Sequence, residues 1–142
     1  MIDHKDFMHG AALVAIADSE KFTALNRASV KYGHYVVNHD RHLFIKYSDG
    51  SGPRDYFFTF SAEDKRRISS VPASFVFAVL VCGNEVVTGI ARDELAQLVP
   101  LASAGSSAVK VAAHQGRQLK ISGPNGQLPL VSRGSFPARI LD

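Results

Sequence analysis

The sequence predicts an α+β domain in which helices pack against a mixed, mostly antiparallel sheet and a C-terminal hairpin extends the structure. Three observations predict this class: short segments with strand-like alternation recur along the chain, three helical segments with recognisable ends interrupt them, and one strand is apolar throughout. At 142 residues the chain suits one domain. We divide it into an α+β core, residues 1–102, and a hairpin and tail, residues 103–142, packed on the same domain.

The composition is that of a soluble globular protein. Apolar residues make up 46% and charged residues 20%, which argues against disorder and a coiled coil. The net charge of +3 permits an acidic partner without requiring one. The single cysteine, Cys82, excludes an internal disulfide, and its place at the end of an apolar run predicts a buried thiol in a reducing compartment.

The first helix is predicted over residues 6–18, with Asp6 as its N-cap. Its segment Gly10–Ala17 resembles the apolar part of a signal peptide, but it is short and alanine-rich and the preceding residues carry acids. An amphipathic helix is therefore favoured. No stretch approaches the roughly 20 apolar residues of a membrane span, so we expect a cytoplasmic protein without a membrane partner.

Strands follow this helix. Residues 22–27 alternate as a strand, residues 34–47 form a hairpin, and the turn-rich segment Ser48–Pro53 ends it. The aromatic run Tyr56–Phe60 predicts another strand.

The second half begins with a helix. Ser61 and Asp64 have capping-box spacing and open a helix through about Ser70. The apolar run Phe75–Val81 predicts a strand covered on both faces at the centre of the sheet. The remaining predicted elements are a strand at 86–90, a helix at 92–99, a linker at 101–107 and a hairpin, 108–113 with 118–122, around Gly116.

The hairpin at 34–47 carries the candidate site. With His39–Arg41 as its loop, Asn38 pairs with His42 and His34 with Lys46. The loop lacks glycine, so Asp40 or Arg41 is expected in the left-handed conformation. In this register one face is apolar or aromatic (Tyr35, Val37, Leu43, Ile45 and Tyr47). The other carries the candidate binding residues His34, Asn38, His42 and Lys46 around Val36 and Phe44.

Lys46 allows two interpretations. In the first interpretation, the sheet face that carries Lys46 is exposed, and the aliphatic stem of Lys46 lies along Phe44, as the stems of long cationic side chains often do. Alternatively, the second helix or the tail partly covers the face, and the four polar residues form a pocket for an anion.

Six histidines raise the question of a metal site. In the predicted register His34 and His42 lie four residues apart along the sheet, about 13 Å at 3.3 Å per residue, which is too far to share a zinc ion. The loop residues His39, Asp40 and His42 remain as possible ligands, but loop histidines are usually solvated. We therefore predict neither a metal nor a cofactor.

A basic run on the second helix, with one arginine of the hairpin, is a weaker candidate for contacts to phosphate: Arg41, Lys65, Arg66 and Arg67. A solvated helix face accounts for the same residues, and the neighbouring acids Glu63 and Asp64 dilute the positive potential. No phosphate-binding loop or dinucleotide glycine pattern is present in the sequence.

Two resemblances bear on function. The strings Ile45–Ser48, Phe58–Phe60 and Leu80–Gly83, after Asn38, resemble small uncharacterised bacterial proteins, which implies an intact domain over residues 1–100 and no particular chemistry. The order of helix, strand meander, helix and buried strand, with Lys46 on the meander, resembles the restriction-endonuclease-like core.

That second family carries the motif PD-(D/E)xK, in which two carboxylates hold magnesium beside a lysine. Here Asp40 precedes the strand and Lys46 lies on it, but Phe44 stands where the motif has an acid. Glu20 or Asp49 would have to replace the missing ligand.

The sequence thus favours a non-enzymatic binding module that uses the polar face of the hairpin. Its partner could be a protein, a nucleic acid or a second copy, and the aromatic content and edge strands favour a homodimer. The alternative is an atypical metal-dependent nuclease.

Overall fold

A computed structural model confirms the α+β class and describes residues 2–29, 31–50, 54–116 and 118–142. The predicted turn at Ser48–Pro53 lies partly outside these residues. The helices are α1 (His4–Ala17), α2 (Ala62–Ser70), α3 (Arg92–Leu98) and α4 (Ala138–Leu141). The strands are β1 (Leu25–Ser29), β2 (His34–Val37), β3 (Arg41–Ser48), β4 (Asp55–Phe60), β5 (Phe75–Cys82), β6 (Val86–Ala91), β7 (Ser107–Gln115), β8 (Gln118–Gly123), β9 (Gly126–Gln127) and β10 (Val131–Ser132).

Within the described residues the strands divide between two sheets rather than one. The first has the order β1-β2-β3-β5-β6, in which β3 and β5 run parallel and the other pairs run antiparallel. The second has the order β10-β8-β7-β4, with β9 on β8. The C-terminal hairpin β7-β8 therefore joins the second sheet by pairing with β4.

Two apolar clusters hold these layers together. One lies between the sheets and under α2 and α3, and includes Phe44, Phe58 and Leu80. The other lies beneath α1 and includes Ile16 and Val37. The two faces of β3 thus point into different cores, as the predicted division of the hairpin into two faces requires.

Several predicted boundaries need correction. The N-cap of α1 is Asp3, whose side chain accepts from the Lys5 amide at 3.4 Å, and Asp6 lies inside the helix. The first strand begins at Leu25 and not at Phe22. The strand β5 is buried on both faces almost throughout, as predicted, but β3 holds the middle of the sheet.

The capping box of α2 is confirmed. The Asp64 amide donates to Ser61 Oγ at 3.1 Å, and Asp64 Oδ2 accepts from the Ser61 amide at 3.0 Å. This reciprocal pair fixes the start of α2 and the position of the Asp64 carboxylate.

Cys82 is buried, as predicted. Burial, with a smaller contribution from nearby Glu85, raises the pKa of its thiol to about 12. The thiol is therefore protonated at neutral pH and unsuited to nucleophilic attack.

Among the described residues, no helix combines the length and apolar character needed to cross a bilayer.

Candidate functional site

The predicted register of the hairpin is wrong by two residues. His34 pairs with Phe44 and Val37 with Arg41, so the loop is Asn38–Asp40. The left-handed residues are Asn38 (φ 54°) and His39 (φ 68°), because asparagine adopts this conformation at little cost. A two-residue shift leaves the side chains of β2 and β3 on their predicted faces, although it moves Asn38 into the loop.

Asn38 has a structural role. Its side-chain oxygen accepts from the Thr23 amide at 2.7 Å and the Thr23 hydroxyl at 2.9 Å, and its Nδ2 donates to the Lys21 carbonyl at 2.8 Å. These bonds hold the segment before β1 against the hairpin, which explains why residues 22–24 are not part of the strand. Asn38 therefore does not contribute to a pocket with the other predicted site residues.

His34 and His42 are in contact, contrary to the predicted separation. His34 Nε2 lies 2.9 Å from His42 Nδ1, and the His34 ring stacks on Phe44 with centroids 4.3 Å apart. The corrected register places the two histidines on a cross-strand diagonal. Burial, then the charges of His42 and Arg67, lowers the pKa of His34 to about 4, so His34 is neutral at pH 7.

This low pKa predicts a pH dependence of stability. The folded-state pKa of His34 lies below its ordinary value of 6.5. The contribution of neutral His34 to the free energy of unfolding is therefore complete above pH 6.5 and is lost as the pH falls toward 4. Between pH 7 and pH 5, His34 should lower the free energy of unfolding by about 2 kcal/mol. Urea denaturation at both pH values should show that His34→Phe removes this component.

The exposed loop histidine provides the control, because His39→Asn keeps a residue suited to a left-handed turn. This variant should retain the full pH dependence. An identical pH dependence in His34→Phe and wild type would contradict the assignment.

The four basic residues predicted to contact phosphate do not form a stripe. Lys65 is fully buried and donates to the Pro100 carbonyl and the Ser107 hydroxyl. Arg41 binds Asp40 and the Ile140 carbonyl. Arg67 stacks over Tyr32, whereas Arg66 is exposed on α2.

Lys46 is partly covered by α2, as the second interpretation required. Its ammonium donates to Asp64 Oδ2 at 2.8 Å and lies 5.2 Å from the centroid of Phe60. Burial opposes ionisation of Asp64, but the bonds from Lys46 and Ser61 outweigh it and hold the Asp64 pKa below its usual value. Because an ammonium has three donors, the pair with Asp64 positions Lys46 and leaves it able to bind a ligand.

A pocket of about 420 Å³ lies beside Lys46, and we call it the Lys46 pocket. The pairing of β2 with β3 ends at His34 and Phe44. Beyond Phe44, side chains from both faces of β3 line the pocket: Ile45, Lys46 and Tyr47. Its polar wall residues come from several elements: Lys5, His9, Lys31, Lys46, Thr59 and Asp64. Its aromatic wall residues are Tyr32, Tyr47, Phe57 and Phe58.

The charges of this pocket favour an anion. Three lysines stand against Asp64 in its wall, and Glu63 pairs with Lys31 at 3.5 Å, so three positive charges face two negative ones and one positive charge is left. His9 is nearly buried, and burial, then the charge of Lys5, lowers its pKa. His9 is therefore a neutral hydrogen-bonding group at pH 7, with Nδ1 3.3 Å from the Tyr35 hydroxyl.

Gly33 shapes the wall that carries Lys31 and Tyr32. Its φ is +59°, and a Cβ at this position would lie 2.6 Å from the Ile45 carbonyl oxygen and 3.0 Å from His9. The Gly33 carbonyl accepts from the Ile45 amide at 2.9 Å. Glycine thus allows the turn before β2 to approach β3 closely enough to close the pocket.

The predicted site is only partly assembled. Lys46 lines the pocket, His34 and His42 form a separate pair, and Asn38 is structural. Sequence analysis missed Lys5, His9 and Lys31, which lie on α1 and the turn before β2. The capping box of α2 was one available signal for the pocket. It places the Asp64 carboxylate at the start of a helix that directly follows β4, and this carboxylate binds Lys46.

Within the residues described, no group of three or more His, Cys, Asp or Glu side chains is arranged to hold a metal ion. The acids considered for the nuclease motif, Asp40, Glu20 and Asp49, do not line the Lys46 pocket. Asp40 pairs with Arg41 and Asp49 with His4. The nuclease interpretation stays a prediction without an observation in its favour.

Comparison with known proteins found no matching family model, no matching curated protein and no matching solved structure.

Proposed function

We propose that this protein is a non-enzymatic binding module and that its ligand is an anion held in the Lys46 pocket. The observation that carries the proposal is the convergence of Lys5, Lys31 and Lys46, from three separate elements, on one cavity. Charge-assisted hydrogen bonds from ammonium groups favour phosphate or carboxylate oxygens. The cytoplasmic location and the homodimer expected from the sequence stay predictions.

Lys46 contributes most to this proposal because its position is fixed. Its side chain is 24% exposed, and Asp64, itself held by the capping box, anchors the ammonium. An ordered donor loses less conformational entropy on binding than a mobile surface lysine does. Lys31 is more exposed and pairs with Glu63 at 3.5 Å, so its charge is partly compensated and it contributes less than Lys46 does.

Calorimetric titration with pyrophosphate tests the proposal. Replacing Lys46 with Met keeps the length of the side chain and removes the charge, so affinity should fall at least about tenfold, as expected for a hydrogen bond to a charged group. Lys46→Arg should retain most of the affinity. Lys120→Met, on β8 of the second sheet, is the matched control and should bind as wild type does.

Equal affinity for pyrophosphate in wild type and Lys46→Met would remove Lys46 from the site. Failure of the wild-type protein to bind pyrophosphate, inorganic phosphate or a dicarboxylate would overturn the proposal. Circular dichroism of each variant separates loss of binding from loss of folding.

A further inference from the structure

Two large aromatic side chains in the wall of the Lys46 pocket are unusually exposed. Tyr47 is 37% exposed and Phe57 is 47% exposed. They lie on β3 and β4, strands that belong to different sheets. Aromatic rings at the edge of a basic cavity provide apolar surface that a phosphate or carboxylate group alone does not use.

The surroundings of the two rings differ. Tyr47 makes edge contacts with His4, at a centroid distance of 5.3 Å, and with His9, at 6.5 Å. Phe57 points outward because its neighbours Tyr56 and Phe58 face the core between the sheets. The Lys110 ammonium lies 5.8 Å from the Phe57 centroid and pairs with Asp55 at 3.9 Å.

The size of the pocket also exceeds what a simple anion needs. A volume of about 420 Å³ lies within the range of small-molecule sites, roughly 300 to 1,000 Å³. Its lining combines the charged groups of Lys46 and Asp64 with the exposed rings of Tyr47 and Phe57. The pocket therefore suits a ligand with a charged end and a flat apolar end.

We propose that this ligand is a nucleotide unit, whose phosphate binds Lys46 and the neighbouring lysines and whose base stacks on Phe57 or Tyr47. This inference rests on the anion-binding function proposed above. Stacking of a base on an aromatic side chain contributes about 1 to 3 kcal/mol and needs no particular base, since every base has a π-face. A free mononucleotide and one nucleotide of a single strand present the same chemistry.

Calorimetry of the full chain with inorganic phosphate, adenosine, adenosine monophosphate and a short oligothymidylate tests the inference. Adenosine monophosphate should bind at least about fivefold more tightly than inorganic phosphate, because the base adds the stacking contribution. Phe57→Ala and Tyr47→Ala together should weaken nucleotide binding by about five- to 150-fold and should weaken phosphate binding by a smaller factor. Lys46→Met should weaken both ligands.

Phe75→Ala is the matched control, because Phe75 is 42% exposed and lies outside the Lys46 pocket. It should leave nucleotide binding unchanged. Tighter binding of the oligothymidylate than of adenosine monophosphate would identify a single strand as the source, and the reverse would identify a free nucleotide.

The inference and the underlying function fail in different ways. Binding of phosphate with no gain from the base, or nucleotide binding that survives the double aromatic substitution, overturns the nucleotide inference and leaves the anion site intact. Absence of binding by every phosphate-bearing ligand overturns both.

Discussion

Lys65→Ala should lower the free energy of unfolding by about 3 kcal/mol, the range seen when a long buried side chain is truncated in a core. Lys65 is 0% exposed, and its stem belongs to the packed layer beneath α2. Its ammonium donates to two neutral acceptors, the Pro100 carbonyl at 3.3 Å and the Ser107 hydroxyl at 3.2 Å. The truncation would leave a cavity and free the Pro100 carbonyl.

Lys65→Met separates the contribution of the aliphatic stem to stability from that of the ammonium charge. Methionine fills most of the same volume without a buried ammonium, so we expect it to change stability by less than about 1 kcal/mol. Arg66→Ala, on the exposed side of α2, should change it by less than about 0.5 kcal/mol. Equal effects of Lys65→Ala and Arg66→Ala in urea denaturation would contradict the buried position of Lys65.

Gly33→Ala should destabilise the fold by at least about 2 kcal/mol, because it combines a left-handed backbone with a close contact. The added Cβ would lie 2.6 Å from the Ile45 carbonyl oxygen, which belongs to the backbone of β3 and cannot move without disturbing the sheet. The displaced turn would carry Lys31 and Tyr32 away from the Lys46 pocket. Anion affinity should therefore fall together with stability.

Substitutions at two other glycines separate the cost of the left-handed backbone from the cost of the close contact. Gly116 has φ +68° and nothing near an added Cβ, so Gly116→Ala should show the backbone cost alone, about 1 to 2 kcal/mol. Gly10 lies inside α1 with open space around it, so Gly10→Ala should stabilise the protein by about 0.5 to 1 kcal/mol. Thermal denaturation of the three variants tests this separation. If Gly33→Ala lowered stability no more than Gly116→Ala does, the close contact at Gly33 would have no measurable cost.

Period-two alternation predicted the two faces of the hairpin correctly, but it could not set the register. A shift of two residues preserves both faces, and the turn decides between the alternatives. Asn38 and His39 adopt the left-handed conformation and so place His34 beside His42. The predicted separation of His34 and His42, about 13 Å at 3.3 Å per residue, was wrong for this reason alone.

The pocket was harder to predict because it extends around the edge of a strand. Alternation assigns Lys46 and Tyr47 to opposite faces of β3, yet both line one cavity beyond the end of β2. Lys65 shows the same difficulty on a helix. Its neighbours Arg66 and Arg67 indicate a solvated face, and only the packing of α2 against the second sheet shows that Lys65 points inward.

Amide NMR spectra of the wild-type protein titrated with inorganic phosphate test the central claim most directly. We predict saturable shifts concentrated at Gly33, Lys46, Tyr47 and Thr59, the backbone positions that border the Lys46 pocket, and their loss in Lys46→Met. Shifts that are absent, or that are scattered over the basic residues of the surface and persist in Lys46→Met, would contradict the assignment of an anion site to this pocket.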